Sequence, residues 1–348
     1  LLMMGISTSI IGILPPAASA GVGVVIVLQL MRLAQCFGRG GTWGGGILMA
    51  YENVPENKRS FYAAIPQIGL PIGFGLSSIL IAVPTLLLPE DIFFTWGWRI
   101  PFLAAIILTL IVIRQKGEMM ETEDYKKAQA KLEAEEAEGK KHKVGFIPMV
   151  KGYWKTLLLG CGTRWVDGTF YNIFIVWILS YCINWLGMPL IQTYIITIIA
   201  CIFKIPFTLF GGWCAQKLGN TRTFVIGALA SAVLSIPTLK VIELSKGNLA
   251  ITIIGIVLGW SIAYNLIWAV ISSLWSSYFE TEVRYSGISF VYHVPSFLVA
   301  GMVPTICTLL INYGKGNTIY VGIYSTVVAL ISAACALALK ARHDRGEK

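Results

Sequence analysis

Ten long apolar runs limit the fold of this chain more than any other feature. They fall at 1–19, 22–49, 61–88, 97–114, 154–184, 189–213, 222–242, 249–277, 286–311 and 319–339. A helix crosses a bilayer with roughly 20 apolar residues, since each residue rises about 1.5 Å through a hydrocarbon core about 30 Å thick. Membrane strands read instead as alternating segments of about 10 residues. The runs here are long and continuous, so they predict an all-α membrane protein with about 10 transmembrane helices. Composition agrees: of 348 residues, 56% are hydrophobic and 13% charged, and the mean hydropathy is +0.71. Soluble domains carry about 25% charged residues. A water-soluble globule, a disordered chain, a collagen-like fibre and a disulfide-stapled secreted module are thereby excluded.

The net charge of +9 would suit a nucleic-acid binder, but the basic residues lie in short loops between apolar runs, so no nucleic-acid partner is expected. Lys and Arg divide 19 against 4 between the two sides of an alternating ten-span arrangement. The richer side should be cytoplasmic, in the plasma membrane, with the C-terminus on that side. The seven cysteines form no CxxC pair and accompany no His/Cys cluster, so they read as small packing residues rather than metal ligands.

Most connections are short and rich in turn residues. The segment from Gly117 to Lys143 differs, being mostly charged residues and Ala. It reads as a solvated helix or a flexible linker with equal force. Three regions follow: a bundle over 1–114, a charged cytoplasmic linker over 115–151, and a six-helix bundle with a short tail over 152–348. Four runs precede the linker and six follow it. A transporter of two equivalent halves has six on each side, which predicts that about two helices precede residue 1. A weak repeat supports two halves. Pro55-Glu56-Asn57-Lys58-Arg59-Ser60 follows the second run, and Glu280-Thr281-Glu282-Val283-Arg284-Tyr285-Ser286 follows the eighth. Each sets an acid–base turn at the cytoplasmic end of a helix hairpin.

Several of these residues carry a resemblance. Arg32-Leu33-Ala34-Gln35, with Gly38, Gly40 and Gly41 after it, resembles the fourth-helix motif of the major facilitator superfamily. Trp96-Gly97-Trp98-Arg99-Ile100-Pro101-Phe102 and Thr281-Glu282-Val283-Arg284-Tyr285-Ser286-Gly287 resemble turns of its metabolite:proton symporter family, before helices six and eleven. The resemblance runs over the whole chain, from helix three to helix twelve. It implies two six-helix bundles rocking about a midplane site and import of small organic solutes with protons: di- and tricarboxylates, shikimate-like acids, betaine or proline. It also implies a part for Arg32 in handling proton or solute. The chain departs from the family pattern at Arg39, Thr42, Gly168 and Gln216.

A charge at mid-bilayer costs roughly 2.5–3.5 kcal/mol on insertion scales, so embedded ionisable residues usually face a cavity or a partner. Arg32, Arg39, Arg164, Asp167 and Lys204 stand inside apolar runs, and only one is acidic. Arg164 and Asp167 are three apart and share a helix face. They read as a proton-linked pair, against a plain structural ion pair. Lys204 reads as an anion clamp, against snorkelling to the headgroups. Tyr171, Asn172, Tyr264 and Asn265, with Trp177 and Trp268, mix rings with hydrogen-bonding groups as a cavity lining does, though packing explains such aromatics as well. His293, alone in its run, could join them or hydrogen-bond a neighbouring helix. Glu52 with Arg59, and Glu282 with Arg284, are candidate gate residues, against solvated helix caps.

No phosphate-binding GxxxxGK[ST] is present and no paired-carboxylate, Ser/His/Asp or metal-spaced cluster, so neither an enzyme nor an ATP-driven pump is expected. No cofactor is expected beyond a proton gradient. The partners are a small solute, protons and the lipid bilayer, and the chain should be monomeric. The reading is a proton-coupled symporter of a small organic anion such as a carboxylate, working by alternating access. The alternatives are a non-transporting membrane sensor or scaffold, and an inactive truncated transporter.

Overall fold

The computed structural model describes residues 2–16, 21–116, 146–296, 299 and 301–347. The side chains of residues 39–44, 48, 49, 52, 56, 115, 116, 146–148, 281 and 282 lie outside that description. So do most of the charged linker and the side chains of Arg39, Thr42, Glu52 and Glu282. Every regular element among the described residues is helical. We number the helical rods α1 (Leu2–Ile13), α2 (Val22–Glu52), α3 (Arg59–Leu87), α4 (Gly97–Arg114), α5 (Met149–Asn184), α6 (Leu190–Leu218), α7 (Asn220–Leu244), α8 (Leu249–Ser276), α9 (Thr281–Pro295), α10 (Val303–Tyr313) and α11 (Ile319–Asp344). Among the described residues seven of these are long and apolar enough to cross a bilayer. The protein is an all-α membrane protein.

Each expected run holds a helix, with one difference. The ninth, 286–311, is two helices, α9 and α10. Pro295 ends α9, and Pro304 sits in the first turn of α10. Between them Ser296 and Val299 are π-helical, the Ser296 carbonyl accepting from the Gly301 N–H at 3.2 Å; proline, which lacks the N–H that continues an α-helix and fits its first turn, flanks this stretch on both sides.

Contacts divide the chain into two units. One holds Leu1–Gly46 with Leu76–Glu121; the other holds Ile47–Gly75 with Thr122–Lys348. The end of α2 and the start of α3 thus pack with the helices that follow the linker.

In the first unit α1 lies along α4. Gly5 and Gly12 leave room for Thr109 and Phe102 of α4. The Trp-Gly-Trp-Arg turn closes the end of α1: Arg99 donates to the carbonyls of Gly12 and Leu14, both at 2.7 Å. The last carbonyls of a helix have no partner within it, so an arginine there satisfies groups that oil could not. The outer face of α4 exposes Ile107, Leu108, Leu110 and Ile111, as a lipid-facing helix does.

The second unit is held by small residues and hydroxyls, the usual cement between helices where lipid is as apolar as leucine. Ser332 of α11 donates to the Gly162 carbonyl of α5 at 2.7 Å. Ser261 of α8 donates to the Ala200 carbonyl of α6 at 2.8 Å. Gly219, at φ 88°, makes the sharp turn between α6 and α7 in a conformation that a side chain would strain. Gly227 on α7 lets α8 approach closely. A Cβ there would lie 2.8 Å from the Leu266 Cβ and 3.0 Å from the Ile267 backbone nitrogen. Gly227→Val should therefore cost about 1–3 kcal/mol, because backbone must move aside. Thermal unfolding in detergent would read it, and an unchanged midpoint would mean that the two helices do not depend on this contact.

Candidate functional site

The sequence places Arg164 and Asp167 on one face of α5, and the second unit closes around that face. Asp167 is 1% exposed and Arg164 7%. Their side chains form an ion pair. The Tyr264 hydroxyl of α8 donates to the other oxygen of Asp167. The Arg164 guanidinium lies 4.3 Å from the Tyr292 ring centroid of α9 and donates to Ser296 Oγ at 3.3 Å. Ser296 in turn donates to the Tyr292 carbonyl at 2.6 Å. A buried carboxylate thus has an arginine and a phenol, and a buried guanidinium has a carboxylate, a ring and a hydroxyl. Breaking such a pair by removing one partner is far costlier than replacing both.

Lys204 stands at the midpoint of α6 and is fully buried. Roughly 20 Å of helix separates it from either end, so the snorkelling alternative is excluded. Its Nζ lies 4.4 Å from the Trp260 ring centroid and 4.3 Å from that of Tyr264. Among the described residues Nζ meets no hydrogen-bond acceptor. Tyr264 is therefore shared: its face meets Lys204, its hydroxyl meets Asp167, and its ring stacks on Phe170 at 6.2 Å.

Among the described residues, α5 and α8 each hold a π-helical segment. Asn172–Trp177 interrupts α5, and Val257–Ala263 interrupts α8 just before Tyr264. The Tyr264 N–H reaches back five residues to the Gly259 carbonyl at 3.4 Å, which marks the wide turn. Gly259 leaves room for the Phe174 ring of the other segment, so the two wide turns pack together. Single π turns inside α-helices are frequent at functional sites. They also rotate the residues beyond them, and here the rotated residue is Tyr264.

The other expected residues divide. Asn265 donates to the Lys204 carbonyl at 2.7 Å and to Thr208 Oγ1 at 3.0 Å, and so clamps α8 onto α6 directly behind Lys204. Asn172 donates to its own helix at the Gly168 carbonyl, at 2.8 Å. Tyr171 meets the Phe74 ring at 5.8 Å. His293 is half-buried, its ring 5.1 Å from that of Tyr292, whose face carries Arg164. Arg32 lies on α2 in the first unit, and its side chain is exposed. Trp177 stacks on Tyr181 at 5.3 Å, and Trp268 exchanges hydrogen bonds with the Gln67 backbone carbonyl and side-chain amide of α3, at 3.1 and 3.3 Å.

The two acid–base turns of the repeat meet. Arg59 lies 5.3 Å and Arg284 5.7 Å from the ring centroid of Tyr51, at the end of α2. Nearby, Phe61 and Ala64 of α3 pack into the notch at Gly212 of α6, and the Phe61 N–H reaches Gln216 Oε1 at 3.4 Å. Sequence reasoning missed Trp260, Tyr292 and Ser296. Trp260 and Tyr264 are four apart, neighbours on a helix face, which could have signalled the first; the others required the tertiary fold.

The sequence profile of the Major Facilitator Superfamily matches residues 1–300. The shikimate transporter of Escherichia coli (strain K12) is 30% identical over 345 residues, covering 97% of this chain and 76% of that protein. The proline/betaine transporter of the same strain is 27% identical over 347 residues, covering 99% and 68%. Among solved structures, a D-xylose-proton symporter is similar at a TM-score of 0.68 and 16% identity, over 97% of this chain and 79% of that one. The xylose transporter XylE from E. coli, in a partially occluded inward-open form, gives a TM-score of 0.64 at 16% identity, over 97% and 76%. The chain belongs to the major facilitator superfamily. It is a multi-pass membrane transporter of small solutes and not an enzyme.

Proposed function

We propose that the chain is a proton-coupled symporter of a small organic anion, with Asp167 as the proton carrier and Arg164 and Lys204 as the anion-binding groups. The observation that carries this reading is the buried Arg164–Asp167 pair. A proton arriving on Asp167 releases Arg164, and a solute carboxylate takes its place. Proton and carboxylate together leave the formal charge of the Arg164–Asp167 pair at zero, whereas either alone leaves the pair charged. An uncompensated buried charge costs several kcal/mol. The half-loaded states are therefore disfavoured, the empty and doubly loaded states cross, and the two fluxes are coupled. Lys204 adds a second cation to a cluster with one carboxylate, which favours an anionic solute over a cation. The wide turns at Asn172–Trp177 and Val257–Ala263 give α5 and α8 the means to bend as the buried site opens alternately to each side. The shikimate and proline/betaine transporters among its relatives frame the choice between acid and zwitterion.

Uptake into vesicles tests the proposal. The panel is radiolabelled shikimate, a dicarboxylate and glycine betaine, each with and without an inward proton gradient. Gradient-stimulated uptake of a carboxylate is expected. Uptake confined to glycine betaine, or insensitive to the gradient, would overturn it.

A further inference from the structure

Lys204 occupies the place that an ammonium ligand would take. Two aromatic faces closing on one cation at about 6 Å or less is the arrangement by which proteins recognise quaternary ammonium groups. Here Trp260 and Tyr264 close on Nζ at 4.4 and 4.3 Å, and the cation is the protein's own. The walls of this box do not depend on their occupant. Tyr264 is fixed by its stack on Phe170 and its bond to Asp167. Trp260 belongs to the wide turn of α8 and is fully buried. Asn265 holds the two helices together through the Lys204 carbonyl, a backbone group that any residue at 204 would supply. Shortening the side chain therefore empties the box and leaves it standing.

We infer that Lys204 is a specificity-determining residue: a built-in cation that fills an aromatic box, bars quaternary-ammonium solutes and commits the site to anions. The inference rests on the solute-binding reading of this cluster. It predicts a gain of function rather than a loss. With the ammonium gone, the box accepts a trimethylammonium head, and the protein acquires affinity for tetramethylammonium and glycine betaine.

Equilibrium binding of these two radiolabelled probes to purified protein tests it. The wild-type chain and Lys204→Met, which keeps the box filled with an uncharged chain of similar length, should bind neither. Lys204→Ala should bind both at least tenfold more tightly than wild type. Lys204→Thr is the second emptied variant, since α6 already buries Thr193, Thr197 and Thr208, and monodisperse elution identifies folded protein. Saturable binding of either probe by the wild type, or no gain by a folded emptied variant, would overturn the inference. The assay requires no transport. Failure of the carboxylate uptake panel with success here would sink the symport reading alone, and the reverse outcome would sink the role given to Lys204 alone.

Discussion

Asp167→Asn is expected to abolish accumulation driven by a proton gradient while leaving solute exchange in place. Asparagine matches the carboxylate in size and still accepts the Tyr264 hydroxyl, so the contact of α5 with α8 is kept, at the cost of a buried guanidinium left without its counter-ion until a solute carboxylate binds. It takes up no proton and no longer holds Arg164. The guanidinium is then permanently available to a solute carboxylate, and the charge rule that ties solute to proton is gone. The size of the effect follows from the gradient. One pH unit is about 1.4 kcal/mol, a tenfold accumulation for one proton per solute. Wild-type vesicles should approach that ratio; the variant should stop near one. Counterflow of labelled against unlabelled solute, which requires no net proton movement, should persist. Accumulation by the variant that still follows the imposed gradient would remove Asp167 from the proton path.

Much of the architecture can be read from the residues, for a definite reason. A span in oil must be long, apolar and internally hydrogen-bonded, and each requirement leaves a mark in sequence. Arg164 and Asp167 were visible as a pair because three-residue spacing puts both on one face whatever surrounds them. Lys204 was visible as an anomaly, a charge at the centre of an apolar run. What it touches was not, because Trp260 comes from another helix and reaches Nζ only through the fold. The wide turns were hidden for a different reason. No residue type marks a π turn; it appears where packing, here Gly259 against Phe174, favours one extra residue in the turn. The asparagines show a third limit. Asn172 and Asn265 each donate an amide N–H to a helix carbonyl, a use that composition does not distinguish from a solute contact. The acid–base turns of the repeat did not mark their meeting point: Arg59 and Arg284 both lie over the ring of Tyr51, which stands outside both motifs.

Whether the Arg164–Asp167 pair serves the fold or the transport cycle can be decided by changing both members. Arg164→Met alone leaves the Asp167 carboxylate buried with only the Tyr264 hydroxyl, and should destabilise the protein by about 3–5 kcal/mol, the usual result of stranding one member of a buried pair. Arg164→Met combined with Asp167→Leu removes both charges together with their desolvation cost. Replacement of a buried pair by apolar side chains of similar volume is often neutral or stabilising by about 1–4 kcal/mol, so the double variant should recover most of what the single one lost. The residual deficit should come from the stranded Tyr264 hydroxyl and from Ser296, whose partner has gone. Unfolding midpoints in detergent would measure both changes. A double variant as unstable as the single one would mean that the pair is not what Arg164→Met disturbed. Transport separates the remaining possibilities, because a purely structural pair can be exchanged for oil without loss of activity. The proposed proton carrier cannot: a well-folded double variant should take up no carboxylate under any gradient, and gradient-driven uptake by it would leave the pair with a role in the fold alone.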